Sequence, residues 1–89
     1  MRFDFGSGVK GKFYVNGLEF TASDEDTAGA VKYYGFLAYT GQWIIMQEDD
    51  TVPTAVTYRF ACGSTAFSVG WTGRGGLSYV RYDAMVAAF

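Results

Sequence analysis

The dipeptide Asn16-Gly17 stands between two short alternating runs, Phe13-Tyr14-Val15 and Leu18-Glu19-Phe20. Asn-Gly is the strongest short-range signal for a two-residue hairpin turn, because both turn positions need φ > 0. Such a turn pairs Val15 with Leu18, Tyr14 with Glu19 and Phe13 with Phe20. Phe13, Val15, Leu18 and Phe20 then share one face, and Tyr14 and Glu19 the other, with Lys12 diagonal to Glu19. Turn chemistry and apolar alternation agree on one register, which commits this stretch to antiparallel sheet.

The same arithmetic predicts two more hairpins. Residues 33–39 and 42–48 flank Thr40-Gly41; pairing Tyr39 with Gln42 sets Leu37 opposite Ile44 and Gly35 opposite Met46. The second face of that hairpin carries Tyr34, Phe36, Ala38, Trp43 and Ile45. Both faces are largely apolar, whereas one face of an antiparallel sheet is usually wet. The hairpin is therefore central in a sandwich or buried against another chain. Residues 55–62 and 65–72 flank Gly63-Ser64, with Val56, Tyr58, Phe60 and Cys62 facing Trp71, Val69, Phe67 and Thr65 in apolar-in, polar-out alternation.

A last strand over residues 76–82 and a short first strand over residues 3–5 complete the set. Helix signals are few. Ser23-Asp24-Glu25-Asp26 has the serine-plus-acid pattern of a helix start, with one turn over residues 27–32. Residues 83–89 read as a short helical turn or an extended tail. The expected architecture is a single all-β domain spanning 1–89. It is a small antiparallel sandwich or partly open barrel of about seven or eight short strands built from hairpins. Residues 1–12 are expected as a flexible N-terminal arm and 83–89 as a C-terminal tail.

Composition bears on what such a domain can bury. Seventeen aromatic side chains outnumber the thirteen of Leu, Ile and Val together, and there is one cysteine and no histidine. A domain of this size buries only roughly 60% of its unfolded surface. No internal disulfide can compensate, but association with other chains can. Tyr, Trp and Phe are the residues that interfaces enrich. The surplus on the two-sided hairpin makes Tyr33, Tyr34, Phe36, Tyr39, Trp43 and Ile45 the interface candidates.

Charge and motifs narrow the chemistry. The net charge of −2, with no basic cluster, disfavours nucleic acid as a partner. No run approaches the roughly 20 apolar residues that span a bilayer, so no membrane is expected. The opening Met1-Arg2-Phe3-Asp4-Phe5-Gly6 has no apolar core of a signal peptide, so the chain reads as an unprocessed frame. The lone Cys62 fits a reducing compartment.

Residues 6–12, Gly-Ser-Gly-Val-Lys-Gly-Lys, satisfy G-x-G-x-x-G and the first seven positions of a P-loop. Both motifs need a helix N-terminus directly after the loop to hold phosphate, and here a hairpin follows. The acidic runs Asp24-Glu25-Asp26 and Glu48-Asp49-Asp50 lack the alternating spacing of a calcium loop and read as solvated loop charge. Without histidine there is no Ser-His or Cys-His pair. Cys62 falls on an apolar face, where burial raises a thiol's pKa and makes it inert. The chain reads as non-enzymatic, with no catalytic, cofactor-binding or metal-binding residue. Tyr14, Tyr34, Trp43 and Tyr82 are the candidates for stacking on a sugar, which keeps a glycan open as a ligand.

One resemblance extends this reading. Tyr33-Tyr34-Gly35-Phe36-Leu37 and Gly41-Gln42-Trp43-Ile44-Ile45-Met46-Gln47-Glu48-Asp49 resemble segments of small virion-associated proteins of tailed bacteriophages. So do Thr57-Tyr58-Arg59-Phe60-Ala61-Cys62-Gly63, Trp71-Thr72-Gly73-Arg74, and Leu77-Ser78-Tyr79 with the closing Phe89. The resemblance covers residues 31–89 and brings no catalytic residues with it. It implies a structural or assembly protein of the virion, such as a capsid decoration, a cement, or a tail- or fibre-associated subunit. Such a protein is made in the host cytoplasm and forms homo-oligomers or binds other virion proteins. The alternatives are a carbohydrate-binding or adhesin module, and a phage-encoded inhibitor of a host protein.

Overall fold

The computed structural model describes residues 11–89. Five antiparallel strands run in chain order across one curled sheet: β1 (Lys12–Val15), β2 (Leu18–Asp26), β3 (Val31–Leu37), β4 (Trp43–Asp49) and β5 (Thr57–Gly63). Two short helices follow, α1 (Phe67–Thr72) and α2 (Tyr82–Ala87), with a 3-10 turn at Arg74–Gly76 between them. The expected first strand over residues 3–5 and most of the expected N-terminal arm lie outside the described residues. Lys12, placed in that arm, opens β1.

The first hairpin forms as its turn chemistry dictates. Asn16 and Gly17 both take positive φ, 52° and 82°, and the pairs are Val15 with Leu18, Tyr14 with Glu19 and Phe13 with Phe20. Phe13, Val15 and Phe20 are buried, and Lys12 Nζ sits 3.1 Å from Glu19 on the opposite face.

The β3–β4 hairpin is shifted by one residue from the expected register. Phe36 pairs with Ile44 and Leu37 with Trp43. The cause is the turn. Ala38 N–H bonds the Gln42 carbonyl at 2.9 Å, so the loop holds three residues and Gly41 closes it at φ 93°. Three-residue hairpin loops end on just such a left-handed residue. Normally the apolar pattern would expose a one-residue slip, but with both faces apolar it does not discriminate.

Burial separates those faces. Tyr34, Phe36, Ala38, Ile44 and Met46 join Phe13, Val15, Phe20 and Phe60 in the concave core, which α2 covers with Met85. Tyr82 packs edge-on against Phe60 and Phe89 against Phe20. A fully buried residue of the Phe36 or Ile44 kind contributes about 1.5–3 kcal/mol. Trp43, Ile45 and Ala61 are buried on the outer face, beneath α1.

Three expected elements change identity. The return strand over 65–72 is helix α1. Period 2 and period 3.6 both place Phe67 and Trp71 on one face, and the two rings do stack at 5.9 Å. Val69, which a strand would bury with them, points outward at 65% exposure. The strand over 76–82 is reduced to one pair, Val80 with Phe60. The helix start at residues 23–26 is strand: Asp24, Glu25 and Asp26 pair with Gly35, Tyr34 and Tyr33 after a bulge at Ser23. Asp26 then accepts from Ala28 N–H at 3.2 Å as the chain turns into β3. Tertiary pairing overrides the local capping signal. The described residues therefore hold five strands in one curled half-barrel sheet, fewer than the seven or eight expected, because residues 65–72 became α1 and residues 76–82 became loop and the start of α2; of the two expected architectures this sheet approaches the partly open barrel.

Trp43 forces small residues around it. A methyl group added at Gly70 would lie 2.5 Å from Trp43 Cζ2, and one at Gly63 would run into the same atom. At Gly75 it would meet nothing within 4 Å. Gly70→Ala is expected to lower unfolding free energy by about 1–3 kcal/mol, the range for overpacking. Gly75→Ala is expected to stay within about 0.5 kcal/mol. Guanidinium denaturation of the two variants side by side measures the difference.

Candidate functional site

The six interface candidates divide sharply by burial. Tyr34 (5% exposed), Phe36 (0%), Trp43 (3%) and Ile45 (0%) lie inside the chain's own packing. Their apolar hairpin is covered on one face by α2 and the β1–β2 hairpin, and on the other by α1. Tyr39 is 93% exposed at the tip of the β3–β4 loop, and Tyr33 is half-buried beside Tyr79 and Arg74. Of the sugar-stacking candidates, Tyr34 and Trp43 have no ring face to offer, Tyr82 packs on Phe60, and Tyr14 is exposed on β1.

The surface strip that sequence reasoning missed lies along β5. That strand ends the sheet, and beyond it runs the single Phe60–Val80 pair. Val56, Tyr58 and Val80 stand exposed along this edge. Alternation alone places Val56 and Tyr58 on a core face opposite a partner strand. The partner strand is absent there, since 65–72 is α1, so these side chains are left uncovered. The Tyr58 carbonyl accepts from its neighbour Arg59 Nη1 at 3.2 Å, which blunts the strand edge against further backbone pairing.

A polar network borders this strip. The register sets Lys32, Glu48 and Tyr58 in one row across β3, β4 and β5. Lys32 Nζ is ion-paired with Asp50 Oδ2, and Tyr34 Oη donates to Glu48 Oε1 at 3.1 Å. Asp50 Oδ1 is sealed from solvent with no N–H or hydroxyl donor. Burial, then the neighbouring Asp50, pushes the Glu48 carboxyl up, while the Lys32 ammonium holds Asp50 down. Of the two carboxyls, Glu48 is therefore the easier to protonate. Burial and the Glu48 carboxylate also push the Tyr34 and Tyr58 hydroxyls up.

On the outer face Arg74 gathers residues far apart in sequence. Its guanidinium lies 4.4 Å from the Trp71 ring centroid and 5.6 Å from that of Tyr33. It reaches Asp26 at 2.7 Å and the Trp71 carbonyl at 2.8 Å, and Tyr79 Oη donates to the Arg74 carbonyl at 2.7 Å. Asp26, read as loop charge, is thus held below its ordinary pKa by Arg74. Cys62 is half-buried in a cleft of about 220 Å³ with Gln42, Gly63, Ser64, Ala88 and Phe89, and burial pushes its thiol up. Among the described residues no three His, Cys, Asp or Glu side chains converge as a metal site, and no helix is long and apolar enough to cross a membrane.

The Glu48 shift has a definite sign. A carboxyl whose folded pKa is raised binds its proton more tightly in the folded state, so it adds stability as pH falls through that value. At neutral pH an ionised Glu48 beside Asp50 costs stability. Asp50, Asp26 and Asp83, all lowered, act oppositely and lose their contribution as pH falls below 3.8. Gln at position 48 keeps the acceptor for Tyr34 and supplies an N–H for Asp50 Oδ1. Glu48→Gln is therefore expected to melt no lower than wild type at neutral pH. It should also lack the wild type's gain on mild acidification, as thermal melts across pH would show.

Comparison with protein families, curated proteins and solved structures finds no match to this chain.

Proposed function

We propose that this protein is a non-enzymatic structural or assembly subunit of a phage virion that binds neighbouring subunits, copies of itself included, along its β5 edge. The observation that carries the reading is the exposed strip of Val56, Tyr58 and Val80 beside an edge strand, rimmed by Lys32, Glu48 and Asp50. An apolar, tyrosine-bearing centre with a polar rim is the anatomy of a protein interface. The virion setting rests on the resemblance of residues 31–89 to small phage proteins. With Trp43 and Ile45 buried within the chain, our reading rests on β5 and not on the two-sided β3–β4 hairpin. The capped Tyr58 carbonyl favours contact through side chains over strand addition.

Sedimentation velocity over a concentration series tests this reading. Wild type is expected to self-associate or to bind purified virion proteins. Tyr58→Lys is expected to weaken association by roughly tenfold or more, as for an interface hot spot, with unchanged circular dichroism. A monomer at every concentration that is also absent from purified virions would overturn the proposal. A monomer whose glycan-array binding disappears in Tyr58→Ala would favour the carbohydrate reading.

A further inference from the structure

Residues 64–79 are attached to the sheet in an unusual way. Among the described residues, their backbone-to-backbone hydrogen bonds all close within the segment: Val69 and Gly70 to Ala66, Gly73 to Val69, Gly76 to Gly73, Leu77 to Arg74. Backbone pairing to the sheet stops at Gly63 and resumes at Val80. Everything holding the segment down is side-chain contact. Trp43 Nε1 donates to the Thr65 carbonyl at 3.0 Å, and its ring fills the space over Gly70. Phe67 and Trp71 lie over Gly35. Arg74 then clamps the far end to Asp26 on β2 and stacks on Tyr33 of β3.

The segment has little stability of its own. Helix α1 is six residues long, has no side-chain cap at its N-terminus, and contains Gly70. Helices so short are marginal without tertiary packing, and glycine inside one costs about 1 kcal/mol against alanine. Beneath it lie Trp43, Ile45 and Ala61, each under 8% exposed. The sheet does not depend on it for its concave core, which α2 and the β1–β2 hairpin complete.

We infer that residues 64–79 form a strap that detaches from β3, β4 and β5 as one unit while the five-stranded sheet stays folded, uncovering the apolar face of Trp43 and Ile45. Arg74 is the positioning residue that keeps it closed. Opening costs the Trp43–Thr65 hydrogen bond, the Arg74 contacts and α1 itself, and leaves every strand pairing in place. Local openings of this kind, below the free energy of global unfolding, are expected where side chains alone hold a segment.

Native-state hydrogen exchange by NMR tests the strap. The Trp43 indole N–H reports directly, because its acceptor lies on the strap while the ring lies on β4. The indole proton and the amides of Gly70 and Trp71 are expected to exchange together, with weak denaturant dependence, ahead of the Ile44, Ile45 and Met46 amides. Arg74→Ala should accelerate the first group by roughly tenfold or more, as loss of its ion pair with Asp26 and its stack on Tyr33 implies. The β4 amides should change far less, and Asp26→Asn should act in the same direction more weakly. Exchange of the indole proton at the rate and denaturant dependence of the β4 amides would overturn the proposal. So would an Arg74→Ala variant that accelerates all amides alike or none. Should Arg74→Ala not fold, the wild-type denaturant series decides alone.

Discussion

The indole of Trp43 is the contact on which the outer half of this structure depends. It lies flat between Gly63 of β5 and Gly70 of α1, both so close that neither position has room for a side chain. Its nitrogen donates to Thr65, which turns the chain out of β5 and toward α1. The ring thus decides where the strand ends, where the helix lies and which residues can face it. A ring of this size brings a large apolar area, and its N–H needs a partner once buried. The Thr65 carbonyl meets that need.

The inner half is organised differently. Its core is aromatic on one side, with Phe13 stacked on Phe20 and edge-on to Phe36, and aliphatic or methionine on the other, with Ile44, Met46 and Met85. Helix α2 closes it, aided by Tyr82 and Phe89. The sheet is therefore covered on both faces by pieces of its own chain. That satisfies the apolar hairpin without a second sheet or a partner chain, and leaves β5 as the exposed apolar edge. The aromatic surplus divides accordingly. Among the described residues most rings fill the two cores, Tyr33 and Tyr79 pack around Arg74, and Tyr14, Tyr39 and Tyr58 remain outside.

Legibility in the sequence followed the strength of local chemistry. Asn16-Gly17 permitted one turn geometry, and the alternation on each side agreed with it, so pairs, faces and the Lys12–Glu19 contact could all be read. Thr40-Gly41 permitted two, and the choice between a two- and a three-residue loop moved the register by one. Residues 65–72 misled for a related reason: Phe67 and Trp71 satisfy strand and helix periods alike, and Val69 alone distinguishes them. The β5 strip could not be anticipated while a partner strand was expected to cover Val56 and Tyr58. The Arg74 cluster was invisible, since Asp26, Tyr33, Trp71 and Tyr79 carry no shared spacing.

The sequence by itself determined that this chain builds antiparallel hairpins, that the 33–48 hairpin must be covered on both faces, and that burial raises the pKa of Cys62. Those conclusions rest on turn chemistry and periodicity, which act over a few residues. What covers each face was decided in three dimensions. Whether an apolar run continues as a strand or folds back as a helix depends on the surface it meets. Here that surface is the indole of Trp43 and the glycines that make room for it. The same choice left the β5 edge uncovered, so the surface proposed to meet other subunits is a product of the tertiary structure and of no local motif.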